Sequence, residues 1–235
     1  MMLAAEGPSA LPLWINGHAF LTMPEHFQLV TSPSTGQTLR QVPLCGEYEV
    51  NLASTAAINA LADWQTTTAE KRFSLLNATA DLLSKYAGHF AKLITEESGI
   101  ELSSAENEVN LAIAALKQPA TKEGQTHSTV TILADASQPF AAPIQAVAQA
   151  LNNGNSIVLK TSVKAPSPLF AFAELTARAE LPAGVFNLIH GDEAAIEAIA
   201  ANLNLTDIRF TGEEVLAGKI QARLNPHHKT LLRLS

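Results

Sequence analysis

The chain has 235 residues, 47% of them hydrophobic and only 16% charged, which builds a buried core in one large or two modest domains and excludes a disordered chain. Its net charge is −7, with only 15 Lys and Arg, so nucleic acid and anionic membrane surfaces are poor partners. Cys45 is the single cysteine, so neither a disulfide framework nor a thiolate metal cluster is available. No apolar run approaches a membrane span, and the first residues carry Glu6 and no basic cluster. No membrane segment and no secretory signal are therefore expected, and a cytoplasmic location is the default.

Residues 11–44 read as short strands and turns. Leu13-Trp14-Ile15 leads into Asn16-Gly17, a hairpin signal. Val30 to Gly36 is a turn, and Thr38 to Leu44 is strand-like. From Glu49 to Trp64 apolar residues recur at helical spacing: Val50, Ala53, Ala57, Leu61 and Trp64. Ala69 to Gly99 continues as one or two amphipathic helices, with Phe73, Leu76, Ala80, Leu83, Ala87, Phe90 and Ile94 on one face and Gly99 as the C-cap. A further helix runs from about Glu101 to Lys117, Pro119 ends it, and Thr121 to His127 is a polar loop.

The rhythm then changes to alternating strand and helix. Strands are predicted at Thr129–Ala134, Ser156–Lys160, Val185–Ile189, Asp207–Phe210 and Lys229–Leu234. Helices are predicted at Ala142–Asn152, Pro168–Ala179, Glu193–Leu203 and Glu213–Leu224. Five short strands with helical crossovers form a doubly wound parallel sheet. The boundary between the segments falls near residues 118–128, dividing the chain into 1–127 and 128–235. Lys160, at the carboxyl end of the central strand, points into the crevice where open α/β sheets bind ligands. The alternative is a solvated lysine that simply closes a strand.

Several motifs now stand in order along nearly the whole chain. They are Trp14-Ile15-Asn16-Gly17, Ser32-Pro33-Ser34-Thr35-Gly36, Ala69-Glu70-Lys71-Arg72, and Leu93 to Gly99 with Glu106 to Val109. Gly154 to Lys160, Leu181 to Asn187 and Arg209-Phe210-Thr211-Gly212 follow. Together they resemble the N-terminal half of an aldehyde dehydrogenase. The resemblance implies an α/β fold: a Rossmann-like, nicotinamide-dinucleotide-type parallel sheet of five strands with helices on both faces. A mainly helical N-terminal segment with short strands precedes it and packs on it.

That family's chemistry uses a cysteine thiolate, nucleophilic and easily activated, in a catalytic domain after the last strand seen here. The resemblance therefore implies that the catalytic domain and the C-terminal oligomerisation strand are absent, and no catalytic residue is assigned. Two positions depart from the pattern. Ala141, in Gln138 to Pro143, stands where the family carries an asparagine that donates to the oxyanion. Arg233 stands where the family often has its general-base glutamate, and a guanidinium cannot accept a proton near neutral pH.

The candidate cofactor residues are Lys160, Ser162, Gly191 and Gly212. Lys160 matches the family lysine at the adenosine ribose or a 2′-phosphate. Val163 replaces the glutamate that shares that ribose. Glu213 and Glu214 follow Gly212 where a serine opens a helix facing the pyrophosphate, and Asp192 and Glu193 follow Gly191. The expectation is weak NAD(P) binding or none.

Other residues carry plainer readings. Cys45 lies outside the Rossmann half with no positioned histidine and is read as a buried structural thiol. His227-His228 lacks metal spacing and is read as solvated surface, so no metal is assigned. Ser162 could bind phosphate or simply turn the chain. The pairs Glu96 and Glu97, Glu106 and Glu108, and Asp192 and Glu193 are read as solvated faces, and Trp14 and Trp64 as packing.

Three functions fit. The first is a non-catalytic relative of aldehyde dehydrogenases with a structural or regulatory role. It would be a homodimer or a complex with a full-length dehydrogenase. The second is an NAD(P)-binding half completed by a partner chain. The third is a small-ligand binder reusing the old cofactor crevice.

Overall fold

The computed structural model describes residues 9–119 and 127–234. Glu6 and most of the expected 121–127 loop lie outside the described residues. Elements in chain order are β1 (Leu13–Ile15), β2 (His18–Phe20), β3 (Phe27–Thr31), β4 (Thr38–Pro43), α1 (Glu47–Trp64), α2 (Ala69–Lys85), α3 (Ala87–Ser98) and α4 (Leu102–Leu116). Then follow β5 (Thr129–Ala134), α5 (Ala141–Asn152), β6 (Ser156–Lys160), α6 (Ser167–Arg178), β7 (Phe186–Ile189), α7 (Glu193–Ala201), β8 (Asp207–Thr211), α8 (Glu214–Leu224) and β9 (Leu231–Leu234).

The parallel strands lie in the order β7-β6-β5-β8-β9, a doubly wound sheet whose direction of winding reverses between β5 and β8. β5, β6 and β7 are buried along their whole length, as strands covered on both faces must be. Residues 69–99 form two helices, and Gly99 closes the second at φ 75°, the left-handed C-cap conformation.

Two features went beyond the local signals. The Asn16-Gly17 hairpin does not stand apart; β1 pairs antiparallel with β7 and extends the sheet to seven strands. Phe27–Thr31 forms a second small sheet with β4, including residues expected to open a turn.

The N-terminal helices divide between the two faces. α2, α3 and α4 pack with α5 and α6 on one face, in a core that runs from Leu76, Leu83, Phe90 and Ile94 to Phe140, Phe172 and Phe186. α1 lies on the other face with α7, its Val50, Ala53 and Ala57 sharing a core with Ile189, Ile196 and Ile208. Trp14 and Trp64 both pack in the first of these cores.

Charged side chains of the helical segment finish the helices of the sheet. Glu108 Oε2 accepts from Ala141 N at 2.7 Å, at the N-terminus of α5. Arg72 Nε donates to Asn152 O at 2.9 Å, at the C-terminus of the same helix. Glu97 accepts from the backbone N and the hydroxyl of Ser167, which open α6. Arg40 Nε stands 2.8 Å from Glu97 Oε1, in charge contact though its N–H is not aimed at the oxygen. Carboxylates at helix N-termini and a guanidinium at a C-terminus satisfy orphan backbone groups and oppose the helix dipole.

Glu96, Glu106, Asp192 and Glu193 are exposed, as expected of solvated faces, but these contacts correct that reading for Glu97 and Glu108. Glu97 is buried and Glu108 half-buried, because each has a helix end to neutralise it. Burial still pushes the Glu97 carboxyl above its ordinary pKa, with the Ser167 bonds and Arg40 pulling it back. Glu97→Ala leaves the α6 N-terminus and Arg40 without a partner. Stability should fall by roughly 2–4 kcal/mol, read as a lower urea midpoint at unchanged m-value. An unchanged midpoint would show that solvent replaces the carboxylate at no cost.

Candidate functional site

The carboxyl ends of β6, β7 and β8 bring the four candidate cofactor residues to one edge of the sheet. Lys160 is the last residue of β6, Gly191 lies two residues past β7, and Gly212 directly follows β8. Ser162 lies two residues past β6, half-buried, and its hydroxyl accepts from Lys164 N at 3.3 Å. That bond turns the chain after the strand.

Lys160 is buried and turned inward. Its ammonium donates to Gly191 O at 2.8 Å and to Thr161 O at 3.0 Å. It ties the end of β6 to the turn after β7, so it is not the solvated lysine of the simpler reading. Burial pushes its pKa down to about 8, against the pull of Asp192, Asp135 and Cys45.

Gly212 has φ 152°, a backbone region that favours glycine, and its turn is filled from within the chain. A Cβ there would collide with Asp135 Cβ and stand 2.6 Å from the Phe210 ring. Arg233 Nε donates to Gly212 O at 3.3 Å, and its Nη1 lies 3.6 Å from Glu214 Oε2 in the first turn of α8. The Arg233 guanidinium is thereby engaged with this turn. Asp192 caps α7 through Ala194 N at 3.1 Å. Arg223 of α8 reaches Glu193 and Glu197 of α7, bridging the two helices.

At Ala141 the backbone N–H is given to Glu108, so a carboxylate already holds the N-terminus of α5. The methyl side chain of Ala141 supplies no donor of its own.

Cys45 is a buried thiol, as its reading has it, and it lies in the turn before α1, outside the Rossmann half in sequence. It is fully buried against that half, in a core with Leu133, Val158 and Ile189. Its thiol is pushed up to about 12, chiefly by burial, which leaves no thiolate at neutral pH. His227 sits 3.8 Å from Glu197, and among the described residues no three His, Cys, Asp or Glu side chains converge as a metal would need. No helix among the described residues is long and apolar enough to cross a membrane.

Sequence reasoning missed Glu97, Glu108, Arg72 and His190. Glu97 carried a signal: it follows Phe90 by seven and Ile94 by three, on the apolar stripe of its helix. His190, directly after β7, carried none.

This architecture, a parallel sheet that reverses its winding between β5 and β8 with helices on both faces, defines a Rossmann-like class of α/β protein. The aldehyde dehydrogenase family model matches residues 22–234, and the chain belongs to that family. It is 31% identical over 214 residues to a malonate-semialdehyde dehydrogenase of Pseudomonas aeruginosa, covering 82% of this chain and 43% of that protein. It is 27% identical over 221 residues to the enzyme of that name from Listeria innocua, covering 86% of this chain and 45% of the relative. Among solved structures, the methylmalonate-semialdehyde dehydrogenase of Oceanimonas doudoroffii superposes with a TM-score of 0.88 at 26% identity, over 97% of this chain and 50% of its own. The chain thus spans about half the length of the curated relatives it matches.

Lys160 gives a direct test. A lysine whose native pKa is depressed binds fewer protons folded than unfolded, so its contribution rises with pH between about 8 and the ordinary 10.5. Stability of the native protein relative to Lys160→Met should therefore climb across that window, by an amount on the order of 3 kcal/mol. Cys45, raised to about 12, acts in the opposite sense above pH 9 in both proteins, so only the difference between them is diagnostic. A difference independent of pH would place Lys160 in water.

Proposed function

We propose that this chain is an aldehyde dehydrogenase-fold module that oxidises no aldehyde by itself and serves a structural or regulatory role. The observation that carries the reading is the inward turn of Lys160, whose donors go to Gly191 O and Thr161 O. The residues here do not fit a dinucleotide well. Val163 offers no carboxylate to a ribose, Asp135 and Arg233 fill the turn at Gly212, and Glu213 and Glu214 bring anions to the start of α8. Phosphate oxygens would meet like charge where the fold otherwise offers free N–H groups.

The same inversion extends to the chemistry. An acyl-transfer oxyanion needs donors aimed at developing charge. At Ala141 the available donor is already given to a carboxylate. At Arg233 a permanent cation stands in place of a base. Weak residual NAD(P) contact stays compatible with Lys160, and the likeness to semialdehyde dehydrogenases supports descent from an enzyme acting on such aldehydes. In this reading the partner is a second copy of the chain or a full-length dehydrogenase.

Isothermal titration with NAD and NADP is expected to show no saturable heat at millimolar cofactor, and the purified chain with an aldehyde is expected to produce no NADH or NADPH. Micromolar binding would return the crevice to cofactor use. Aldehyde-dependent cofactor reduction would overturn the reading outright. Co-purification of a full-length dehydrogenase would support the regulatory role.

A further inference from the structure

The hairpin β1–β2 sits at the edge of the large sheet, yet its ladder to β7 is a single register pair, Trp14 with Leu188. β1 is itself buried, with Trp14 in one core and Leu13 and Ile15 in the other, and two buried side chains of the β7 region hold the hairpin's backbone. Asn187 Oδ1 accepts from Asn16 N at 2.9 Å, while Asn187 Nδ2 donates to Gly184 O and Ile157 O. His190, fully buried, places Nε2 3.0 Å from Pro12 O and Nδ1 2.7 Å from Thr161 Oγ1.

The carbonyl of Pro12 can only accept, so Nε2 carries the proton. Nδ1 then accepts from the Thr161 hydroxyl. This arrangement uses both nitrogens of a neutral ring, with one proton between them. We infer that the β1–β2 hairpin is an acid-released flap: protonation of His190 detaches it and bares the edge of β7.

A second proton on this ring is paired with no carboxylate, because its two nitrogens face only the Pro12 carbonyl and the Thr161 hydroxyl. The titratable groups around it are Lys160 from the end of β6, Cys45 from the turn before α1, and Asp192 just past β7. Lys160 is the one whose charge opposes a proton on His190, while Asp192 and Asp135 act on Lys160, and Glu49 acts on Cys45. Burial is the largest cause holding the imidazole down to about 4. Once the flap is free, the ring returns to its ordinary value near 6.5. The folded value is depressed, so the contribution of His190 to attachment is full above about pH 6.5 and is lost as the pH falls toward 4. The detached state exposes the unpaired N–H and C=O groups of β7, a template for another strand. This device does not depend on whether the crevice binds cofactor.

Amide hydrogen exchange at pH 7 and pH 5, corrected for intrinsic rates, tests it. Protection of residues 13–20 should fall about 20-fold more than that of α2, which serves as the internal reference. In His190→Gln the extra fall should shrink to less than about twofold, since no group titrates there. Equal losses in both proteins, or no loss in the native one, would overturn the inference. Should His190→Gln fail to fold, the native imidazole is followed by NMR together with the Trp14 indole. The flap model requires that the indole signal change together with protonation of the ring. An imidazole that titrates near its ordinary value while the indole is unmoved would overturn it.

Discussion

The constraint on which this structure depends is the need to finish the ends of two buried helices. α5 and α6 lie between the sheet and the N-terminal helices, and both ends of α5 and the N-terminus of α6 present terminal N–H and C=O groups that need partners there. Glu108, Glu97 and Arg72 do so from the helical segment, over sequence separations of 33, 70 and 80 residues. Each is a charge that could not be buried without a helix end of opposite sign. The helical segment is therefore bound to the sheet by polar contacts as well as by the continuous core around Phe90, Phe140 and Phe172.

The same economy of charge shapes the crevice. In an open parallel sheet the strand ends and helix N-termini converge where ligands bind, because unsatisfied donors and converging dipoles collect there. Here that address is retained, while its donors are directed to the chain itself. Lys160 is given to carbonyls, Ala141 N to Glu108, Ala194 N to Asp192 and Arg233 to the Gly212 turn. Fold and site are thus separable: the fold is shared with the family, and chemistry rests on a handful of side chains.

Much of the architecture was legible from local pattern. The parallel strands and their crossover helices appear where the apolar runs, turn residues and C-cap glycine place them, since side-chain periodicity of two or 3.6 reports burial within one element. Phe27–Thr31 escaped notice because its burial alternates weakly, with only Val30 fully covered. The inward turn of Lys160 was also beyond local reading. Whether a strand-end lysine meets solvent or a carbonyl 31 residues away depends on how the next loop folds over it.

By itself the sequence determined the elements, their order and the winding of the parallel sheet, because these follow from short-range periodicity and from the handedness of βαβ crossovers. Only the tertiary structure decided that the N-terminal hairpin joins the sheet beside β7, that Cys45 lies beneath that sheet, and that Glu97 and Glu108 are inside. Those outcomes are pairings between distant residues, and a charged side chain shows its partner only when the fold brings a helix end within hydrogen-bond reach.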